Sequence, residues 1–593
     1  MRGTLLGSSR SARVDKTPSP ESLANTRFIS SHVALSVLAT VLLTAAICVL
    51  VPEPSHPAYS LGDTDDAVRL ISVRDLLSGA PWFDTTLPRI GAPEPLVSHW
   101  SRLIDLPIAG LIHFLTPLFG AEQEELATRI VWPALLFFFL LLVVSREACR
   151  QVGPWGGALA IFLAATSMTA FFQFRPGRID HHNAQVLCAI AGLLMLLRAW
   201  EEPSVGWRAG FLLGLGLAIG YEAIALVGMA LAITASAALW WPRHGTGVLR
   251  AAIAATLTMA TAMLLTIPPW RWLRIHCDSL ALNLPVLAAG GTIGLWAGMV
   301  LGRTRFARFL IASMGVVAGI VGFAALEPAC LAGPYGQVTP VLRSFLLDQV
   351  YETRSIFWLV ASQPTQWLGT LGFLVAGTTF ELARWYQRRD TKSSLAVAYI
   401  VLAGALGCWQ IRLIPYASWL CVLSIARFAG SLPAMASISA RVVGMAAALL
   451  LSQATQDALT LPFAASQPSS DPSCYLSKDI RQLRALPSGL VSANLSLSAF
   501  IAALTPHRVV AAPYHRLEQS ILANRDILEG SLDEALKKAR VLGVDYIALC
   551  NTPSPNHTPR GLSARLLGGE PIPSLQEVRL DSTQVIRVWR LIR

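Results

Sequence analysis

Runs of roughly 20 apolar residues, following one another from residue 31 to about residue 462, constrain this chain more than any other feature. A bilayer admits such runs only as helices, because each backbone polar group must be satisfied within its own segment. Hydrophobic residues make up 53% of the 593 positions and charged residues 14%. Soluble domains carry about 25% charged residues. A soluble enzyme, a disordered scaffold and a disulfide mini-protein are excluded, which leaves an α-helical polytopic membrane protein.

The runs lie near 31–51, 129–145, 155–173, 184–198, 209–220, 222–241, 249–267, 280–301, 309–326, 356–383, 394–410, 413–428 and 442–462. They make about thirteen spans. Arg2, Arg10, Arg13, Lys16 and Arg27 precede the first, so the chain is expected to start in the cytoplasm. With this count the later basic clusters, from Arg146/Arg150 to Arg427/Arg441, also fall inside. The stretch 103–119 is apolar enough to compete. Counting it would invert every later loop, so it is read as an outer-face or re-entrant helix. The net charge of +11 is then mostly topology, and nucleic acid is not an expected partner.

This organisation predicts a cytoplasmic segment 1–30, a transmembrane domain 31–462 with outer loops 52–128, 174–183 and 327–355, and an outer domain 463–593. The expected setting is a bacterial inner membrane with the tail in the periplasm. In the tail, strand-like runs (GLVSANL, RVVAAP, DYIALC, VIRVWRLI) alternate with helical patterns such as SLDEALKKARVLG, which predicts a small α/β domain. No internal repeat is visible. Of the nine cysteines, Cys474 and Cys550 lie in this domain, where an oxidising compartment permits a bridge. The others sit in or beside spans and are expected to be buried thiols.

Scarce charge on the outer side of a hydrophobic chain points to function. Three groups stand out: Asp63, Asp65 and Asp66 with Arg74 and Asp75; Arg175, Arg178, Asp180, His181 and His182; and Asp348, Glu352 and Arg354. Carboxylates with an imidazole suit a divalent cation, Mg2+ or Mn2+. Arginines beside them suit phosphate. A metal, carboxylates and arginines together suggest a phosphorylated substrate whose departing phosphate the metal stabilises.

In order and spacing these groups resemble the oligosaccharyltransferase catalytic subunits of the GT-C glycosyltransferase fold, the bacterial PglB and archaeal AglB type. Asp65 is followed by Arg74 and Asp75 nine and ten positions on, as the metal-binding aspartate of that family is. Asp180-His181-His182 looks like the archaeal DHH motif, Val350-Tyr351-Glu352 stands where the family has a late-loop glutamate, and Arg412-Leu413-Ile414-Pro415-Tyr416 is similar to a stretch whose arginine meets donor phosphates. The resemblance covers roughly residues 30–430. It implies Asp65, Asp180, His182 and Glu352 as metal ligands, with Asp65 and Glu352 also catalytic. It implies Arg412 as a phosphate ligand, and Arg175 and Arg178 are expected to assist. The WWDYG motif that reads an acceptor sequon in that family is absent. The tail offers Ala512-Pro513-Tyr514-His515-Arg516 instead, so Tyr514, His515 and Arg516 are candidates to face the acceptor.

The expected activity is inverting transfer of a glycan from a polyprenyl-(pyro)phosphate donor to an outer-face acceptor, a protein or an envelope glycan, with membrane lipid as the other partner. A GT-C transferase moving a single sugar from a prenyl monophosphate to lipid A, a polysaccharide or a lipid is the alternative. A transporter or flippase fits less well, since such proteins place charge near the midplane and often show repeats.

Overall fold

The computed structural model describes residues 61–120, 123–362, 364–432, 438–460, 474, 477–551, 559–580 and 585–592. The segment 1–30 and the expected span 31–51 lie outside the described residues. The chain is a multi-pass α-helical membrane protein with a small C-terminal α/β domain. Among the described residues, eight helices are long and apolar enough to cross a bilayer, or nine if a bent pair counts as one.

The first described helix is α1 (Thr64–Leu77) and the second α2 (Arg102–Phe119), which covers the ambiguous stretch 103–119. The first turn of α2 is not lipid-facing. Arg102 and Asp105 are buried there, and Asp105 takes Arg69 of α1 at 2.5 Å, Ser72 at 2.8 Å and Arg102 at 3.0 Å. A buried charge network of this kind persists only when its members are paired, and it ties α1 to α2.

Next comes α3 (Glu124–Ala165), which unites two expected spans across a break at Val152 and Gly153. Gly153 has φ +80°, a conformation suited to a residue without Cβ, and Pro154 follows. Then follow α4 (His182–Ala199), α5 (Gly206–Ile219), α6 (Ile224–Trp240), α7 (Gly245–Thr266), α8 (Asn283–Leu301) and α9 (Arg305–Leu326). Small residues let α8 and α9 touch backbone to backbone. A Cβ on Gly290 would lie 2.5 Å from the Gly319 Cα, and one on Gly315 2.4 Å from the Gly294 Cα.

The run 356–383 is covered by the helix Ile356–Ser362 and α10 (Pro364–Arg388), with residue 363 outside the described residues. A later expected span is broken. After α11 (Thr391–Trp409) and α12 (Ile414–Gly430), the run 442–462 forms Ile438–Leu451 and Gln453–Thr460, bent by 56°. The buried Gln453 amide explains the bend. Its Oε1 accepts from Ser167 at 2.7 Å and its Nε2 donates to Thr370 at 3.0 Å, turning the second helix inward.

The C-terminal domain has a five-stranded sheet in the order β4-β3-β5-β7-β6. Its strands are β3 (Leu490–Ala493), β4 (Arg508–Val509), β5 (Tyr546–Cys550), β6 (Leu575–Val578) and β7 (Ile586–Leu591), numbered after a small hairpin of β1 (Thr86–Leu87) and β2 (Leu96–Val97). β3 pairs in parallel with β4 and β5, and β7 is antiparallel to its neighbours. The four strand-like runs correspond to β3, β4, β5 and β7. β6 was not anticipated: the burial pattern of LQEV, one buried residue, two exposed and one half-buried, is an edge with no apolar alternation. The helical pattern near 531–543 is Leu532–Leu542, ended by Gly543 at φ +71°.

The segment between α1 and α2 and this domain share backbone hydrogen bonds. Val509 N donates to Arg89 O at 2.9 Å, and Gly91 N and Ala92 N donate to Val509 O and Val510 O at 3.0 and 2.9 Å. Cys474 and Cys550 are bonded, and so are Cys277 and Cys330. The second bridge corrects the expectation of buried thiols. Cys277 lies in the turn before α8 and Cys330 in the short 3-10 helix Pro328–Ala332 after α9, both outside the long helices.

Candidate active site

The sequence Gly62-Asp63-Thr64-Asp65-Asp66 makes the start of α1. Asp63 is its N-cap, and its Oδ1 accepts from Asp65 N at 2.9 Å and Asp66 N at 3.1 Å. Asp66 is fully buried and clamps the second outer loop. Its Oδ1 accepts from Ile179 N at 2.6 Å and Asp180 N at 3.0 Å. Two of the three aspartates are thus engaged by backbone, which leaves Asp65 at the surface of the site.

Arg178 sits under this arrangement, 1% exposed. Its guanidinium bonds Asp63, Asp66 at 3.1 Å, Asp180 and Gln173 at 2.8 Å. Arg178 therefore faces carboxylates inside the protein, not the cavity, and a guanidinium so committed is a poor fit to the expected phosphate role. Arg175 is stacked on the Phe172 ring at 4.0 Å and does not line the cavity either.

One cavity of about 1690 Å³ runs from this cluster to the C-terminal domain. Asp65, His182, Glu352, Arg412, Tyr514 and His515 all line it. Ligand atoms of Asp65, Asp180 and His182 lie within 4.8 Å of one another. Asp180 is buried behind His182, and its Oδ1 accepts from His182 N at 3.0 Å. Glu352 stands apart from the trio on the short turn Tyr351–Thr353, half-buried and close enough for its charge to act on Asp65. Arg412 is held by Gln410 Oε1 at 2.9 and 3.0 Å and donates to the Tyr335 hydroxyl at 3.2 Å.

Burial pushes the Asp65 carboxyl up to about 8, and the negative charge of Asp63 adds to the effect. Burial has the same tendency at Asp63, but Arg178 outweighs it and holds that group at about 2. A carboxylate so reluctant to ionise lies where positive charge is lacking. A divalent cation supplies that charge, and the two aspartates and imidazole are a chemically suitable donor set.

The C-terminal domain reaches into the same place. The Tyr514 hydroxyl donates to Asp65 Oδ1 at 2.9 Å and its ring meets Trp100 edge-on at 5.5 Å. His515 and Arg516 both bond Asp278, at 2.7 Å and at 2.5 and 2.8 Å. Burial disfavours the Asp278 charge, yet His515, His99 and Arg516 hold its carboxyl well below the usual range.

Sequence reasoning passed over Asp278 and Glu222, which lies 3.1 Å from His181. Asp278 stands in the segment between the runs 249–267 and 280–301 and Glu222 at the first residue of the run 222–241, so the scarcity of charge in this chain was the signal that could have found them. Tyr335 and His99 carried no comparable signal.

No protein-family model matches the chain, and no curated protein sequence matches it. Solved structures do. The oligosaccharyltransferase AglB of Archaeoglobus fulgidus, in complex with an inhibitory peptide and a dolichol-phosphate, superposes with TM-score 0.65 at 13% identity over 88% of this chain and 70% of that one. The same protein tethered to an acceptor peptide containing the NVT sequon gives 0.61 at 14% identity over 88% and 69%. Its complex with Zn and sulfate gives 0.53 at 14% identity over 87% and 68%. Likeness at this identity is likeness of fold: the chain has the GT-C membrane-glycosyltransferase architecture, with an α/β domain at its C-terminal end.

Proposed function

We propose that this chain is a metal-dependent, inverting glycosyltransferase that takes a glycan from a polyprenyl-(pyro)phosphate donor and passes it to an acceptor at the outer face of a bacterial inner membrane. The observation that carries this reading is the meeting of Asp65, Asp180 and His182 at one cavity, lined by Asp65 and His182 together with Arg412 and Glu352, with Asp180 buried behind His182. The two disulfides favour an oxidising, periplasmic location for the C-terminal domain. The AglB complexes with a dolichol-phosphate and with Zn and sulfate support a lipid phosphate and a cation in a cavity of this fold.

Asp65, Asp180 and His182 would hold Mg2+ or Mn2+, and a bound cation supplies Lewis-acid stabilisation of the departing phosphate. Arg412, aimed into the cavity by Gln410, adds a fixed positive charge to the same phosphate. Glu352 faces the acceptor side and orients or deprotonates the attacking group. Tyr514 orients Asp65. Transfer of labelled glycan from a polyprenyl-linked donor by the purified protein, dependent on added Mn2+, tests the reading; metal-independent transfer, or none, would overturn it.

Two further results are expected. Arg412→Ala raises the KM for the lipid-linked donor by about tenfold or more, with cation affinity unchanged. Tyr514→Phe weakens Mn2+ binding by about tenfold, the lower end of what loss of a hydrogen bond to a ligand costs. Calorimetric titration of the purified variants reads both cation affinities, and an unchanged value for Tyr514→Phe would remove that residue from the site.

A second reading, transfer of a single sugar from a prenyl monophosphate to lipid A, a polysaccharide or a lipid, is favoured by one observation. Where the family carries WWDYG this chain has none. Mass spectrometry of glycoproteins and envelope glycans in a deletion strain separates the two acceptor classes.

A further inference from the structure

The turn Gly220-Tyr221-Glu222 brings a second set of donors to the site. Ligand atoms of His181, His182 and Glu222 lie within 4.8 Å of one another, beside the Asp65 trio and sharing His182 with it. His181 Nε2 stands 3.1 Å from Glu222 Oε1, which is close to the about 3–3.5 Å that separates two ligand atoms on one tetrahedral cation. A hydrogen bond alone accounts for that distance, but not for what surrounds it. The remaining polar atoms of both groups, His181 Nδ1 and Glu222 Oε2, are buried without a partner. His181 itself is 3% exposed, so its imidazole is held inside the protein with half of its hydrogen-bonding capacity unused.

The backbone is shaped to this pair. A Cβ on Gly220 would lie 2.6 Å from Glu222 Oε2 and 2.8 Å from the His181 ring, so no larger residue fits behind them. The His181 ring lies 4.4 Å from the His182 ring and 5.8 Å from that of Trp100, tilted by 38° and 44°, so it packs among aromatic neighbours. The site is also reachable. The large cavity touches His181 and Glu222 from one side, and a second cavity of about 100 Å³ touches them from the other.

We infer that His181, His182 and Glu222 form a second cation site, selective for a Zn2+-type ion, next to the oxygen-rich site at Asp65. Two imidazoles and a single carboxylate are the donors of open zinc sites, whereas Asp65 and Asp180 with one imidazole suit Mg2+ or Mn2+. The inference rests on the proposed cation at Asp65, since the two sites share His182; with both ions bound His182 serves as an imidazolate, one ion on each ring nitrogen, its N–H proton released to solvent. Glu222 lines the same cavity as Asp65 and Arg412.

Co2+ is the probe. The full chain in lipid nanodiscs, stripped of metal and titrated with Co2+, is expected to bind two ions per chain, one with the visible absorption of a nitrogen-rich, low-coordinate site. Glu222→Gln keeps the shape of the turn and is expected to lose that absorption and one ion, with affinity at this site down about 100-fold. Asp65→Asn is expected to lose the other ion and keep the absorption. His181→Gln provides an independent copy of the test should Glu222→Gln fail to elute as the native protein does. One ion per chain, lost in Asp65→Asn and untouched by Glu222→Gln and His181→Gln, overturns the second site and leaves the proposed function standing. Two ions retained in both variants overturns the ligand assignment. No bound ion at all overturns both readings.

Discussion

Asp65→Asn should abolish glycan transfer while leaving the protein in the membrane at wild-type abundance. The change is isosteric and keeps the acceptor oxygen for the Tyr514 hydroxyl. It removes only the charge. Asp63 and Asp66, which cap α1 and clamp the second loop, are untouched, so the local fold has no reason to yield. Loss of a group that stabilises transition-state charge in a water-poor site costs about 3–4 kcal/mol, or about 10²–10³ in rate. Loss of the cation it helps to hold adds to this. We expect transfer to fall by about 10³ or more in an assay with lipid-linked donor, with a Tm no lower than the wild type. The Tm should rise if anything, because burial and the Asp63 charge disfavour the Asp65 carboxylate in the metal-free protein. Residual transfer within tenfold of wild type would remove Asp65 from the chemistry and the metal reading with it.

How much of this was legible depends on what kind of information each part needs. The membrane architecture is written in composition: apolar runs must become helices in lipid. The bend in the last of those runs was not legible, because it depends on Gln453 finding Ser167 and Thr370, partners far away in sequence. Asp65, Asp180 and His182 could be singled out because charge is rare in this chain. Arg178 shows the limit of that reasoning. A basic residue beside outer carboxylates suits a phosphate ligand or an internal counter-ion equally well on paper. Only the burial of Asp66 and Asp180 around it distinguishes the two. Tyr514 was flagged for the acceptor, but its hydroxyl meets Asp65, a contact between positions 449 residues apart that no local pattern encodes. The Cys277–Cys330 bridge was missed for a related reason: proximity to spans was read as burial within them.

Arg178 therefore carries the second large effect, on folding and not on phosphate binding. Arg178→Leu leaves Asp63, Asp66 and Asp180 facing one another without the guanidinium that all three share. Removing one partner from a buried ion pair costs about 3–5 kcal/mol, and here several carboxylates lose the same partner. Asp66 keeps three backbone N–H donors, from Asp63, Ile179 and Asp180. Asp63 keeps two, from Asp65 and Asp66, and without Arg178 its burial favours protonation. Its folded-state pKa should rise above that of the unfolded chain, so the variant's stability falls as pH rises and recovers as pH drops toward 5. The wild type should show the opposite slope for Asp63, whose carboxyl Arg178 holds at about 2: that contribution is present above pH 4 and lost only as pH falls through 2. Thermal unfolding of the detergent-solubilised protein between pH 5 and pH 8 measures the variant's slope, and extending the series down to pH 2 measures that of the wild type. Arg178→Lys should rescue little, because one ammonium has three donors and no planar fork for the three carboxylates and the Gln173 amide that Arg178 bonds. A stable, pH-indifferent Arg178→Leu with a raised donor KM would instead return Arg178 to the phosphate site. A destabilised variant whose loss grows with pH places it beneath the metal ligands, as the residue that lets so many carboxylates share one small volume before any cation arrives.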